Sequence, residues 1–317
     1  MSGYCGRFAP SPTGDLHLGS AATALVTWLC ARAAGGRLIL RVEDIDRPRV
    51  LPDVEARQLD DLRWLELDWD EGPDVGGPHA PYRQSERDEY YLAALAQLAS
   101  RDLLFACDCS RRDIARVASA PHGEDGPRYP GTCRGRRADD DGPWKRPPAT
   151  RLTVAPGEIL VDDPLQGRLV QDVASVVGDF VLRRGDGIWA YQLAVVVDDL
   201  AMGVTEIVRG ADLLTSTPRQ VLLAQLLGGT LPAVAHAPLV LGPDGARLAK
   251  RAGGMTIREH RDGGRTAQDI VGLLAHVLGL RPTAEPIDAR ALLPTFDRRQ
   301  LSGRPSVRLA ADLTPRP

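Results

Sequence analysis

The residues best suited by type and spacing to do chemistry stand near the start of the chain, in Arg7-Phe8-Ala9-Pro10-Ser11-Pro12-Thr13-Gly14-Asp15-Leu16-His17-Leu18-Gly19-Ser20. Two prolines and a glycine force a tight, rigid turn. A helical pattern begins at about Leu16, and such a helix aims its free N–H groups and positive dipole end back at the turn. That arrangement suits an anion such as a nucleotide phosphate. His17 can add a hydrogen bond to a phosphoryl oxygen, and Gly19 allows another backbone or a ligand to come close. A lone H-x-G would be an ordinary surface histidine after a turn; the longer string is far more specific.

Four further groups carry chemical potential. Glu43-Asp44-Ile45-Asp46 follows the strand-like run Arg37–Val42, where acids could hold an ammonium group or a metal, or form a solvated loop. Arg209 ends the strand-like run Thr205–Val208, and its fork matches two carboxylate oxygens, although a structural salt bridge would use the same residue. Three of the five cysteines, Cys107, Cys109 and Cys133, crowd into one segment, a clustering that in a reducing compartment reads as metal binding before disulfide. On chemistry alone His122 is the more usual fourth zinc ligand, and four protein ligands would make the site structural. Asp244-Gly245-Ala246-Arg247-Leu248-Ala249-Lys250-Arg251 is a turn whose lysine could neutralise a triphosphate as pyrophosphate leaves; a bare Lys-Arg pair is otherwise solvated.

Strands and helices must position these groups. A helix over Ala21–Ala34, stopped by Gly35-Gly36, joins two strand-like runs into a βαβ unit, hence a parallel sheet with its site at the strand carboxyl ends. Val54–Leu67 reads as an amphipathic packing helix, and Gln84–Arg87 opens another that runs to about Arg101. Short strands are expected at Arg151–Val154, Ile159–Val161 and Leu169–Gln171. A hairpin is expected with Phe180–Arg184 and Ile188–Tyr191 around Gly185-Asp186-Gly187. Pro218 sits early in a further helix, and Thr266–Leu278 forms an amphipathic one.

Composition sets bounds on function. The 317 residues suffice for about two domains, and 43% hydrophobic with 26% charged residues is ordinary for a soluble enzyme. No apolar run approaches a membrane span and no secretory start is visible, so a cytoplasmic location without membrane contact is expected. A net charge of −3 argues against broad wrapping of nucleic acid, leaving local patches such as Arg134, Arg136, Arg137, Lys145 and Arg146, which Asp139–Asp141 interrupts.

The opening string resembles the signature R-F-A-P-S-P-T-G-x-L-H-x-G of the class I glutamyl-tRNA synthetases, and within them the short branch, the glutamyl-Q tRNA(Asp) synthetases. Ser20 stands where the general class I H-I-G-H motif has its second histidine. Further matches are R-x-E-D-x-D at Arg41–Asp46, Y-R-Q-S-E-R at Tyr82–Arg87, and R-G-A-D-L-L-x-S-T-P-R-Q from Arg209, where full-length glutamyl enzymes usually read R-G-E-D-H. The Asp244–Arg251 turn is similar to the K-M-S-K-S loop in its glutamyl form K-L-S-K-R, with Arg247 for the first lysine, Ala249 for the serine and Lys250 in place. The resemblance covers roughly the first 255 residues.

The resemblance implies an α/β fold: a class I aminoacyl-tRNA synthetase Rossmann-like parallel sheet with a zinc-bearing insertion and a short C-terminal helical extension. The implied divisions are 1–100 and 178–262 for the two catalytic halves, 101–177 for the insertion with its acceptor-binding role, and 263–317 for the extension, with no anticodon-binding domain. It places Arg7, Phe8, Ala9, Pro10, Ser11, Glu43, Tyr191 and Arg209 around glutamate, with Glu43 on the amino group. It places His17, Gly19 and Lys250 on ATP, His17 and Lys250 being catalytic. It points to Tyr129 as the fourth zinc ligand beside Cys107, Cys109 and Cys133, because the short branch has C-x-C…Y-x-x-x-C. The implied activity is ATP- and Mg²⁺-dependent, tRNA-independent formation of glutamyl-adenylate by a monomer, followed by transfer of glutamate to queuosine at the wobble position of tRNA(Asp). Two rivals are a truncated conventional synthetase charging a tRNA 3′ end and an inactive nucleotide- or tRNA-binding module.

Overall fold

The computed structural model describes residues 3–117, 128–137, 143–248 and 256–310. In chain order, β1 (Cys5–Phe8) leads through the Pro/Gly turn to α1 (Leu18–Ala33), β2 (Arg37–Leu40), α2 (Val54–Trp64) and α3 (Asp88–Ala99). There follow β3 (Leu104–Cys107), α4 (Arg111–Val117), β4 (Ala149–Leu152), β5 (Glu158–Asp163), β6 (Gly167–Asp172), α5 (Val173–Val176) and β7 (Phe180–Arg183). The chain continues with α6 (Tyr191–Ala201), β8 (Glu206–Gly210), α7 (Thr217–Leu226), β9 (Ala233–Ala237) and β10 (Leu239–Leu241). It closes with α8 (Ile257–Asp262), α9 (Ala267–Val277), α10 (Ala289–Leu292) and β11 (Ser306–Arg308).

Two parallel pairs form the platform. β1 pairs with β2 from Cys5–Arg37 to Phe8–Leu40, and β8 pairs with β9 from Glu206–Ala233 to Gly210–Ala237. Thr205 donates its backbone N–H to the Cys5 carbonyl at 2.8 Å, which sets β8 beside β1 and brings Phe8, Leu40 and Gly210 to one edge. Parallel strands need crossovers, and α1 and α7 supply them. α1 is Ala- and Leu-rich and almost wholly buried, as a helix enclosed on several sides must be.

Between the two pairs the rhythm changes. β3, β4 and β7 form an antiparallel sheet, and β5 and β6 an antiparallel hairpin paired from Glu158–Asp172 to Asp163–Gly167. The predicted Phe180–Tyr191 hairpin forms with a short second arm: Arg183 bridges Trp189, Arg184 N–H donates to the Ile188 carbonyl at 2.8 Å and Ala190 N–H to the Leu182 carbonyl at 2.9 Å, and Tyr191 then opens α6. Trp189 turns inward: its indole N–H donates to Asp88 at 2.7 Å and its ring meets Tyr91 edge-on. The C-terminal segment contains β11 as well as helices, and α9 shares one core with α1 through Ile270, Val271 and Leu274. Among the described residues no helix is long and apolar enough to cross a membrane.

Candidate active site

His17 is the N-cap of α1. Its Nδ1 accepts the Ser20 N–H at 3.1 Å, and Ser20 Oγ in return accepts the His17 N–H at 2.9 Å. Ser20, where the general motif has a histidine, therefore locks the first histidine in place. With Nδ1 accepting, the proton of the neutral ring sits on Nε2, and burial lowers the pKa so that the ring is neutral at pH 7. Gly19 admits this geometry: a Cβ there would lie 2.9 Å from His17 Nδ1 and Cε1, so the close neighbour is the imidazole itself.

This helix start opens onto a cleft of about 600 Å³, lined among others by Phe8, Ala9, Pro10, Ser11, Gly19 and Leu248. Arg7, Glu43, Tyr191 and Arg209 line the same cleft from β1, the loop after β2, the first turn of α6 and β8. The structure thus brings together every described residue that the sequence assigns to ATP and glutamate. Lys250 and Ala249 lie outside the described residues, as do His122 and Asp139–Asp141. The described flanks of the lysine turn reach the cleft: Arg247 bridges to Leu241, and Thr256 bridges to His17.

The cationic wall is held by carboxylates that sequence reasoning missed. Asp199, in α6, meets Arg7 Nε at 3.3 Å and Arg41 Nη1 at 2.6 Å; Arg41 also meets Glu43 at 3.1 Å. Burial would raise Asp199, but Arg41 and Arg7 outweigh it and hold the carboxyl below the usual range. Neighbouring Asp198 accepts from Arg87 at 2.6 Å, Gln84 at 2.7 Å and Tyr91 at 2.9 Å. Arg41, Asp198 and Asp199 are all 0% exposed. Their signal was present as Val195-Val196-Val197-Asp198-Asp199, since two acids in an apolar helix must be paired when buried.

Arg209 differs from these arginines. It is 4% exposed and donates to His236 Nε2 at 3.0 Å, to Thr217 Oγ1 at 2.8 Å and to Tyr191 Oη at 3.4 Å. None is a carboxylate, so among the described residues this buried cation has no ion pair. Glu43 is ion-paired with Arg41 at 3.1 Å, yet burial raises its carboxyl above the ordinary value although Arg41 and Arg7 pull the other way. The cleft therefore offers a buried cation with no described carboxylate in direct contact, and a carboxylate whose desolvation Arg41 does not fully offset.

The cysteines gather at the end of β3. The sulfurs of Cys107, Cys109 and Cys133 lie within 4.8 Å of one another. Tyr129 Oη is 3.4 Å from Cys107 Sγ and accepts the Cys133 N–H at 2.9 Å. Ligands on one tetrahedral zinc stand about 3.5–3.8 Å apart, so three thiols and a phenol fit that donor set. Burial and then the neighbouring thiols push Cys109 up to about 12, a disfavoured ionisation that a bound cation would reverse.

The family profile for the catalytic domain of class I tRNA synthetases (E and Q) matches residues 5–285. A glutamyl-Q tRNA(Asp) synthetase of Symbiobacterium thermophilum is 52% identical, with 97% of this chain and 96% of that protein covered. The chain belongs to the class I glutamyl-tRNA synthetase family, in its glutamyl-Q branch. A second glutamyl-Q tRNA(Asp) synthetase, of Nitratidesulfovibrio vulgaris, is 47% identical over 95% of this chain and 94% of its own. Among solved structures, a glutamate tRNA ligase of Elizabethkingia meningosepticum in complex with its amino acid superposes with a TM-score of 0.82 at 27% identity. There the match covers 98% of this chain but 68% of the other. The synthetase fold, with its parallel sheet and a cysteine cluster able to hold a metal, is thus established for this chain.

Proposed function

We propose that this chain activates L-glutamate with ATP to glutamyl-adenylate, without tRNA, and transfers glutamate to the queuosine base at the wobble position of tRNA(Asp). The observation that carries the amino-acid side is Arg209, a buried guanidinium whose described partners are all neutral. Such a charge demands an anion, and a substrate with two carboxylates and an ammonium complements Arg209, Arg7 and Glu43. Tyr191 and the Phe8–Ser11 turn close the same pocket. The queuosine acceptor follows the relatives that match this chain over nearly their full length.

In the first step an α-carboxylate oxygen attacks the α-phosphorus of ATP, brought in as its Mg²⁺ complex. The bond to the bridging oxygen breaks, and pyrophosphate leaves with the electron pair. No general base is needed, because the α-carboxylate is already ionised at neutral pH. His17 Nε2–H and the free N–H groups opening α1 stabilise charge on the phosphoryl oxygens, and Lys250 is assigned the pyrophosphate side. In the second step an acceptor hydroxyl attacks the glutamyl carbonyl carbon, and the bond from that carbon to the phosphate oxygen breaks. AMP leaves with the electron pair, and the hydroxyl proton passes to the released phosphate or to solvent. Cys107, Cys109, Cys133 and Tyr129 would hold one zinc, which supplies a cross-link and no reaction chemistry. We assign residues 101–177 as the insertion between catalytic halves 1–100 and 178–262, with 263–317 as an extension, in a cytoplasmic monomer.

The deciding experiment supplies radiolabelled glutamate, ATP and Mg²⁺ with two bulk tRNA pools, one from queuosine-making cells and one from cells unable to make it. Label on the queuosine-containing pool alone is expected. Equal label on both pools would overturn the acceptor in favour of 3′-end charging, and no label with no pyrophosphate exchange would leave a binding module.

A further inference from the structure

One pair of titratable groups behind the pocket has no part in the mechanism above. Asp163, the last residue of β5, and His236, in β9, are both fully buried, and His236 Nδ1 lies 2.5 Å from Asp163 Oδ2. The same oxygen accepts the His236 N–H at 3.0 Å, while Oδ1 accepts the N–H groups of Leu165 at 2.7 Å and Gln166 at 2.9 Å. Four donors thus surround one carboxylate. Burial would raise it, but His236 and the two turn N–H groups hold it below the usual range, so it is ionised and can only accept. The imidazole proton must then sit on Nδ1, and Nε2 is left as an acceptor for Arg209 Nε–H at 3.0 Å.

We propose that Asp163 and His236 are positioning residues for glutamate: by fixing the histidine tautomer they aim the Arg209 guanidinium into the amino-acid pocket. The assignment rests on the glutamate-pocket reading above. Arg209 is otherwise tied by Thr217 on one Nη and loosely, at 3.4 Å, to Tyr191 on the other. His236 supplies the remaining anchor, on Nε. Asp163 stands 73 residues from His236 in sequence, on the β5–β6 hairpin rather than in the parallel platform. The hairpin turn therefore reaches into the platform to set the pocket's central cation. Gln166 strengthens the docking by donating to the His236 carbonyl at 2.8 Å.

Asp163→Asn tests the relay with almost no change of shape. If the amide oxygen stays on Leu165 and Gln166, the amide NH₂ faces both the His236 N–H, which loses its acceptor, and the imidazole, which must then accept at Nδ1 and carry its proton on Nε2. That proton opposes Arg209 Nε–H, and the guanidinium loses an anchor. The expected results are a switch of His236 from the Nδ1–H to the Nε2–H tautomer in ¹⁵N-histidine NMR, and a rise in KM for glutamate of roughly 10- to 100-fold. KM for ATP in the same pyrophosphate-exchange assay stays within about twofold on the same argument, since no ATP ligand depends on the pair. An unchanged KM for glutamate, or equal losses for glutamate and ATP with a lowered Tm, would reduce the pair to a structural staple. Should the variant not fold, the wild-type spectrum still decides, because an Nε2–H tautomer there overturns the relay. Absence of glutamate-dependent exchange by the wild type would defeat the functional reading instead, leaving the tautomer measurements to judge the relay alone.

Discussion

The His17 imidazole lies over the α-carbon of Gly19 and fills the space a side chain would need, with 2.9 Å from ring atoms to a Cβ at that position. The ring that caps α1 is thereby folded onto its own helix, with Nδ1 spent on Ser20 and Nε2–H left for the cleft.

Gly19→Ala should therefore displace the His17 imidazole with little change in stability. Alanine is favoured over glycine within a helix by about 1 kcal/mol, which offsets the roughly 1 kcal/mol lost with the His17 cap, so the thermal midpoint should change little. Misplacing the ring should cost about 10- to 100-fold in kcat for pyrophosphate exchange, with KM for glutamate little changed. A lowered midpoint with unchanged kcat would show that the ring position is immaterial.

Arg209→Lys keeps the charge and loses the planar fork. Lysine cannot at once hold His236 and Thr217 and present a bidentate face to a carboxylate. Steady-state exchange assays should show kcat/KM for glutamate falling about 100-fold or more, against a small change for ATP. Similar kcat/KM values for the two proteins would move the carboxylate elsewhere in the cleft.

Acid pH should expose Glu43. Burial raises its carboxyl above the ordinary 4.5, so as pH falls it becomes neutral earlier than an exposed glutamate, and the proposed contact with the substrate ammonium is lost. In a pH profile of kcat/KM for glutamate, the acid limb should bend above pH 4.5, and Glu43→Gln should be slower and lack that limb. A limb that persists in the variant belongs to another group.

Zinc analysis of the purified chain should find one atom per molecule. Cys133→Ser should lose it, and a chelator should lower the thermal midpoint reversibly, since four protein ligands make a closed site whose binding energy is folding energy. A metal-free chain with an unchanged midpoint would leave the cluster as three thiols.

Contiguous stretches were legible in the sequence, and what joins them was not. The turn before α1, the first βαβ unit and the cleft-lining residues Arg7, His17, Glu43, Tyr191 and Arg209 all sit on local strings, whereas the strand β9 that completes the second βαβ unit was not read from the sequence. Tyr129, preferred to His122 on resemblance alone, stands within reach of Cys107. By contrast, Arg41–Asp199 spans 158 residues and His236–Asp163 spans 73, and no local pattern encodes partners so distant. The hairpin over Phe180–Tyr191 is present with a short second arm, which ends where Tyr191 opens α6.

The dry seating of Arg41 between Asp198 and Asp199 bears on how the two half-reactions should answer to ionic strength. Mobile ions screen charges that face water over about 8 Å at physiological salt, and reach buried pairs far less. The scaffold beneath the amino-acid pocket should thus hold its electrostatics in concentrated salt, and adenylate formation should tolerate it. A polyanionic acceptor approaching a chain of net charge −3 has only exposed local cations to meet, and counterion competition falls on those contacts. Added salt should thus uncouple the reaction, stalling the chain with activated glutamate that it can make but no longer hand on.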